Sequence, residues 1–172
     1  GRGCQRNLVA AAYWYQQAAE QGHGLAANNL ALFYAGGLGG LSKDNEKAVY
    51  WLKRSAEKGE ALAELHLYVH YANGWGVIKD LTTALNYLYS AAGKGEVTAQ
   101  IELGRRLLIG DGVRKNIDQG RGWLLKAIEQ GSDVAAFILA ETYQKDKNPD
   151  NSMAIKYYQI AADKGNLMAL GR

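Results

Sequence analysis

The sequence of 172 residues contains one cysteine, Cys4, and one proline, Pro149. A single cysteine cannot form a disulfide within the chain, so a small disulfide-stapled domain is excluded. With 48% hydrophobic residues, little proline and 21 regularly placed glycines, the composition excludes collagen-like and disordered chains and favours an all-helical globular protein. We expect Cys4 to be a buried free thiol that behaves as a small hydrophobic residue.

Strong charge and long apolar runs are also missing. The net charge is +3 and no run of five like charges occurs, so the chain is predicted not to bind nucleic acid or a membrane surface. No apolar run approaches the length of about 18 residues that inserts into a bilayer. The first residues, GRGCQRN, lack the apolar region of a signal peptide. Because residues 1–7 align with residues 74–80 inside a repeated unit, we expect the sequence to be a piece of a longer protein.

A repeated unit runs through the whole sequence. A glycine closes each unit, and successive closing glycines are separated by 37, 36, 36 and 34 residues. The closing glycines are Gly22, Gly59, Gly95, Gly131 and Gly165. A fixed period of about 20 to 50 residues indicates a repeat protein in which each unit contacts its neighbours. We predict one elongated domain, 1–172, with full units 23–59, 60–95, 96–131 and 132–165 and partial units 1–22 and 166–172.

Each unit carries two stripes at helical spacing. Eleven residues before the closing glycine stands a small residue, eight before it an aromatic residue, and four before it another small residue. After the closing glycine, the fourth residue is Ala, the eighth is Leu and the twelfth is mostly Tyr. Such offsets lie on one face of an α-helix. We therefore predict helix B before each closing glycine and helix A after it. The aromatic positions Trp14, Trp51 and Trp123 are predicted to be core.

Glycine-rich turns are predicted between helix A and helix B, as in GWGV at 74–77 and GDGV at 110–113. Glycine adopts the left-handed conformation that ends a helix. Asp44, Asp80 and Asn116 follow these turns and are predicted to cap helix B. Asn7 stands at the same register position and is predicted to cap helix B of the first partial unit. The turn at 36–41 is one residue longer, which we interpret as a loop insertion.

The combined pattern, A-x-x-x-L-x-x-x-Y-x-x-G-x-G-V-x-x-D-x-x-x-A-x-x-W/Y-x-x-x-A-A-E-x-G, resembles the Sel-one-like repeat (SLR), a relative of the tetratricopeptide repeat. The resemblance covers essentially the whole chain and implies an α/α superhelix (solenoid) of helix pairs of about 36 residues. It implies adaptor work in bacteria, with a periplasmic, envelope or secreted location. The lone Cys4 departs from the cysteine-rich branch of the family, which weakens inferences from that branch.

The resemblance to tetratricopeptide repeats implies that helix A lines a concave face. Register matching places three residues of each helix A on that face, at offsets of six, ten and thirteen from the closing glycine. The predicted partner-binding residues are Asn28, Leu32, Leu65, Val69, Ile101, Arg105, Leu108, Phe137 and Glu141. They would hold an extended or helical peptide. The alternative is that superhelical curvature buries much of this stripe as inner packing.

Sequence signatures of catalysis are missing: there is no HExxH, GxSxG or Walker motif. His66 and His70 stand four residues apart on one helical face, but zinc sites usually need three or four ligands. Glu102 and Arg106 occupy the equivalent positions in the next unit, and Arg106 would bring a positive charge. We predict no enzyme activity, no cofactor and no metal site.

The function predicted from the sequence is a protein-interaction scaffold with a protein or peptide partner. A structural role in a bacterial envelope or polymer-export complex is the alternative, and a helper domain of an enzyme is a third. Because the terminal helices lack a neighbour, we also expect exposed apolar faces and self-association at the ends of the chain.

Overall fold

A computed structural model of the chain describes residues 2–169 and residue 171, with side chains from residue 7 onward. The helices of the described residues are α1 (Arg2–Glu20), α2 (Gly24–Gly36), α3 (Asn45–Glu57), α4 (Ala61–Asn73), α5 (Leu81–Gly93), α6 (Val97–Ile109), α7 (Ile117–Glu129), α8 (Asp133–Gln144) and α9 (Asn151–Asp163). Within that part of the chain there is no strand. The predicted all-α fold of alternating helices A and B is confirmed.

The chain divides into two compact units. Unit 1 (Gly1–Lys94) contains α1 to α5, and unit 2 (Gly95–Arg172) contains α6 to α9. In unit 1 each helix packs against the next one along the chain, from α1 on α2 to α4 on α5. The same holds in unit 2, from α6 on α7 to α8 on α9. Contacts between helices adjacent in sequence are typical of repeat proteins.

The predicted helix-A stripe forms the core of both units. The leucines at the eighth position after the closing glycine are completely buried: Leu30 and Leu67 in unit 1, Leu103 and Leu139 in unit 2. One aromatic residue from each helix of a pair completes the packing. Tyr71 stacks on Tyr87 with ring centroids 5.7 Å apart, and the second such stack, Tyr143 on Tyr157, has a separation of 5.8 Å.

The helix ends follow the predicted turn chemistry. Gly37, Gly74 and Gly110 end helix A with positive φ. The side chains of the predicted caps accept backbone N–H groups in the first turn of helix B: Asp44 from Lys47, Asp80 from Thr83 and Asn116 from Gln119. In the shorter last turn Asp150 caps α9 by accepting the N–H of Met153.

The glycine-rich turn after α2 packs against the first helix of unit 1. Gly39 has φ +62°, and a Cβ on it would lie 2.6 Å from the carbonyl oxygen of Leu8 in α1. No residue with a side chain fits at that distance. The extra glycines of this loop therefore allow a close approach of backbone to backbone, in addition to turning the chain.

Two expectations for the first partial unit were wrong. Asn7 does not cap a helix, because α1 runs continuously from Arg2 to Glu20. Trp14 is not core, because its side chain is 65% exposed and Ala12 and Ala19 form the buried face of α1 instead. In the other units the preceding helix A supplies both the carbonyl that closes the turn, such as Tyr71 O to Asp80 N, and the packing partner of the aromatic residue. No helix A stands before α1 in this sequence.

Of the other tryptophans, Trp51 is buried as predicted and Trp123 is half-buried, with the Lys126 ammonium 4.2 Å from its ring centroid. The expectation of a buried thiol at Cys4 falls on a side chain outside the described residues. Among the helices of the described chain, none combines the length and apolar character that crossing a bilayer requires.

Candidate functional site

A recess lies on the helix-A side of unit 1. We call it the unit 1 recess; its volume is about 390 Å³, within the range of about 300 to 1,000 Å³ typical of ligand pockets. It is lined by Leu32 and Ala35 of α2, Lys43 and Asn45 at the turn into α3, His66, Val69 and His70 of α4, and Trp75 of the following turn.

Helical spacing and two turns bring these residues together. Leu32 and Val69 both stand ten residues after a closing glycine, so they occupy equivalent faces of the neighbouring helices α2 and α4. Trp75 lies between Gly74 and Gly76, whose positive φ values turn the chain back after α4. Its indole is half exposed at the edge of the recess.

The two histidines of α4 are held by hydrogen bonds. His66 Nδ1 lies 2.9 Å from Oδ1 of Asn28, which links α4 to α2. His70 Nδ1 lies 2.8 Å from the carbonyl oxygen of Trp75, and the His70 and Trp75 rings meet edge to face at 6.0 Å. His70 is buried. Because a carbonyl oxygen only accepts, His70 donates from Nδ1 and fixes the position of the Trp75 turn.

The predicted binding residues of unit 1 differ in accessibility. Leu32 is 40% exposed and Val69 is half-buried, and both line the unit 1 recess. Asn28 is only 2% exposed and Leu65 is buried as well. The last two therefore support the surface from below, and a Leu65→Glu substitution would test packing instead of binding.

Unit 2 has a recess of its own with a volume of about 320 Å³. We call it the unit 2 recess. It is lined by Leu108, Ile109, Lys115, Ile117, Glu141, Thr142, Lys145, Asp146 and Lys147. Of the predicted binding residues, Leu108 and Glu141 lie here, and Arg105 is exposed. Ile101 and Phe137 pack partly buried against the core of unit 2.

The two recesses occupy equivalent places in the repeat. Ala35 and Leu108 each stand thirteen positions after a closing glycine. Lys43 and Lys115 stand sixteen positions before the next closing glycine, and Asn45 and Ile117 stand fourteen positions before it. Their opposite walls differ in chemistry. In unit 1 this wall consists of Val69, His70 and Trp75. At the corresponding positions of unit 2 it consists of Glu141, Thr142 and Lys147. The wall is therefore apolar and aromatic in unit 1 and polar and charged in unit 2.

Turn residues of both recesses were missed in the sequence. Lys43, Trp75 and Lys147 lie outside helices, where no helical periodicity assigns a face. A signal was available: Lys43 and Lys115 stand at the same offset from their closing glycines. Comparing turns by repeat register, instead of reading helices alone, would have found them.

Carboxylates beside the recesses are already engaged within the chain. The backbone N–H of Lys47 lowers the pKa of Asp44, which caps α3. A hydrogen bond from Arg121 lowers the pKa of Asp146, and the Nη2 to Oδ2 distance is 2.7 Å. Glu141 pairs with Lys145 at 2.9 Å. Asp44 and Asp146 are therefore ionised at neutral pH, and all three carboxylates serve contacts within the chain.

Metal ligands do not converge in the part of the chain that the structure describes: no group of three or more His, Cys, Asp or Glu side chains lies within reach of one ion. In unit 2, Glu102 and Arg106, which correspond in the repeat to His66 and His70, form an ion pair at 2.8 Å. Both recesses present apolar and charged side chains, and the unit 1 recess adds the indole of Trp75.

These features define the chain as an all-α helical-repeat protein. The Sel1 repeat model matches residues 1–23, 24–60, 61–96, 97–132 and 133–166. The chain therefore belongs to the Sel1 repeat family. Members of this family are non-catalytic repeat scaffolds that generally mediate protein–protein interaction.

Solved structures of bacterial relatives share the fold. A Sel1 repeat protein from Oxalobacter formigenes is 30% identical with a TM-score of 0.85, over 93% of this chain and 47% of that one. A protective antigen of uropathogenic Escherichia coli with an SLR fold is 29% identical with a TM-score of 0.79, over 96% and 39%. An immunity protein from Pseudomonas aeruginosa is 28% identical with a TM-score of 0.62, over 92% and 59%.

The chain thus spans about half the length of these relatives, between 39% and 59%. A comparison with curated proteins finds no match.

Proposed function

We propose that this chain is a non-catalytic scaffold that binds a partner protein on its helix-A side, with the unit 1 recess as the main contact. The observation that carries the proposal is the combination of a formed recess and accessible apolar side chains at it, Leu32 and Trp75. Binding energy at protein interfaces concentrates on a few apolar and aromatic residues that fit a pocket. An isolated exposed leucine would carry no such argument.

The recess suits a segment of polypeptide better than a small metabolite. It is open to solvent and bordered by two helices and two turns, so a chain can cross it and insert one side chain. Leu32 and Val69 would contact that side chain. The contact of His66, which lines the recess, with the buried Asn28 links α4 to α2, so the surface is preorganised, which lowers the entropic cost of binding.

Unit 2 is proposed to add polar contacts. Arg105 is exposed, and the unit 2 recess carries Glu141, Lys145 and Lys147. Charged groups at the rim of an interface set orientation and association rate more than affinity. Under this proposal unit 1 supplies most of the affinity and unit 2 adds selectivity.

The test compares two matched substitutions in a pull-down from lysates of the cells that express the gene. Leu32→Glu places a charge in the unit 1 recess. Leu81→Glu makes the same change on α5, at a residue of almost identical exposure, 41% against 40%, that does not line the recess. Circular dichroism of both variants verifies that they remain folded.

We expect Leu32→Glu to lose the captured partner while Leu81→Glu retains it, with equal helicity in both. The carboxylate replaces the apolar contact surface of Leu32, and burying it under the partner's apolar side chain costs several kcal/mol, about enough to abolish capture. If both variants capture the partner as the unsubstituted chain does, the recess is not the contact and the proposal fails.

A further inference from the structure

Three lysines occupy one position of the repeat, sixteen residues before the closing glycine: Lys43, Lys79 and Lys115. Each lies next to the glycine that ends the preceding helix A. A Cβ on that glycine would be 3.3 Å from the lysine Cβ in the first case and 3.2 Å in the other two. Lys43 lines the unit 1 recess and Lys115 the unit 2 recess, whereas Lys79 lines neither.

Lys43 brings a positive charge to the unit 1 recess. Among the described residues it forms no ion pair. Its neighbour Asp44 is engaged elsewhere, with Lys47 Nζ at 3.4 Å and the N–H of Lys47 at 2.9 Å. The eight residues that line the recess include no Asp or Glu.

The unit 2 recess provides the contrast. Two of its lining residues are carboxylates, Glu141 and Asp146, and each is paired with a cation of the same unit. Glu141 also stands where Val69 supplies an apolar wall in unit 1. Lys115 of the unit 2 recess likewise forms no ion pair among the described residues. What distinguishes the unit 1 recess is the apolar wall beside its lysine.

From this combination we propose that the unit 1 recess recognises a partner segment in which an apolar side chain is followed by an Asp or Glu side chain. The apolar side chain fits against Leu32, Val69 and Trp75, and the neighbouring carboxylate pairs with the Lys43 ammonium. This inference rests on the proposed function, because it specifies the segment that the scaffold binds. Charge complementarity selects the acidic neighbour, and apolar contact supplies affinity.

Short peptides with blocked ends isolate the two elements. The probes are acetyl-Gly-Leu-Glu-Gly-amide, its Gln analogue, which is isosteric and uncharged, and acetyl-Gly-Gly-Glu-Gly-amide, which lacks the apolar side chain. Each is titrated into the ¹⁵N-labelled chain, and the indole N–H resonance of Trp75 and the amide resonances of Leu32 and Val69 report binding.

We expect the Leu-Glu peptide to bind about two- to fivefold more tightly than the Leu-Gln peptide, the range of one solvent-exposed ion pair. The difference should shrink when salt is raised, because exposed charges are screened. The Gly-Glu peptide should leave the Trp75 resonance unshifted.

Lys43→Gln and Lys79→Gln are the matched variants. Both remove one lysine at the same repeat position, but only the first lies in the recess. Lys43→Gln should abolish the preference for Glu over Gln, and Lys79→Gln should preserve it.

Equal binding of the Leu-Glu and Leu-Gln peptides, or a preference that survives Lys43→Gln, would overturn the inference. The scaffold proposal would be unaffected, because the Leu32→Glu comparison tests it. Absence of binding by every peptide at the recess would overturn it as well. The pull-down measures the proposed function separately, so failure of one test is distinguishable from failure of the other.

Discussion

Gly104 of α6 and Gly120 of α7 face each other where the two helices cross in unit 2. A Cβ on Gly120 would lie 2.9 Å from the carbonyl oxygen of Gly104, and a Cβ on Gly104 would lie 3.1 Å from the carbonyl oxygen of Gly120. Both residues are buried. The glycines therefore allow two helix backbones to touch.

Substitutions in α7 separate this packing role from helix propensity. Gly120→Ala should destabilise the protein by about 1 to 3 kcal/mol, because the added methyl group meets backbone that cannot move aside. Gly122→Ala, two residues further on, should stabilise by up to about 1 kcal/mol, since a Cβ there meets nothing within 4 Å. Urea unfolding of both variants provides the comparison. A Gly120→Ala protein as stable as Gly122→Ala would contradict the close helix contact.

A polar pair with one buried and one exposed member changes its chemistry between two repeats. In unit 1, Glu64 Oε1 accepts hydrogen bonds from Lys94 Nζ and Ser90 Oγ, both at 2.9 Å. At the corresponding positions of unit 2, Gln130 Nε2 donates to Gln100 Oε1 at 3.0 Å. Glu64 and Gln100 are both buried. The chain thus uses an ion pair and an amide pair at the same site.

We predict that the amide pair can be transplanted. Glu64→Gln and Lys94→Gln should each destabilise by about 1 to 2 kcal/mol, because each leaves a polar group without its partner. The double variant should lose less stability than the two single variants lose in sum. The difference, which is the coupling energy, should be at least about 0.5 kcal/mol. Additive losses in a double-mutant cycle of denaturation would show that the two positions do not interact.

Two tryptophans at the same register position differ in burial. Trp51 is 9% exposed and Trp14 is 65% exposed. Trp51→Ala should therefore cost about 3 to 5 kcal/mol, whereas Trp14→Ala should change the free energy of unfolding by about 0.5 kcal/mol or less. Thermal or urea denaturation measures both. Similar losses for the two variants would imply that Trp14 packs against a neighbour as Trp51 does.

The acid stability of the helix caps has a defined sign. Hydrogen bonds from the Thr83 hydroxyl and backbone N–H lower the pKa of Asp80 below its ordinary value of 3.8. A carboxyl with a lowered folded-state pKa contributes stability above its unfolded pKa and loses that contribution as the pH falls through the folded pKa. The contribution of Asp80 should therefore be intact at neutral pH and decrease as the pH falls below about 4.

Asp80→Asn tests this, because Asn116 is a native cap at the same repeat position. We expect the variant to keep α5 capped and to lose less stability than the unsubstituted chain between about pH 5 and pH 2. Identical acid dependence of the two proteins would rule out Asp80 as a source of that loss.

Periodicity predicted the core because it directly reports which face of a helix is buried. Leu67 and Leu103 were predicted correctly on that basis, as were the caps Asp44 and Asn116. Trp14 was predicted wrongly because the pattern assumes a preceding helix A, and the sequence places none before α1. The same residue type at the same register position therefore has a different environment.

The candidate site was only partly predictable. Leu32 and Val69 were found from their equivalent offsets, but spacing cannot show that Asn28 and Leu65 are buried, because burial depends on how neighbouring helices lean together. Lys43 and Trp75 lie on turns, where side-chain direction follows from local backbone geometry. The envelope or export role and self-association stay predictions; the exposed face of α1 around Tyr13 and Trp14 provides a surface for the latter.

The central claim is that a partner protein occupies the unit 1 recess. The most direct measurement places a photoreactive amino acid at Val69, inside the recess, and separately at Leu81 on α5, then irradiates each protein in the presence of the captured partner. The account predicts a crosslinked adduct from position 69 and none from position 81. An adduct from position 81 with none from position 69 would contradict it, because the partner would then lie on helix B.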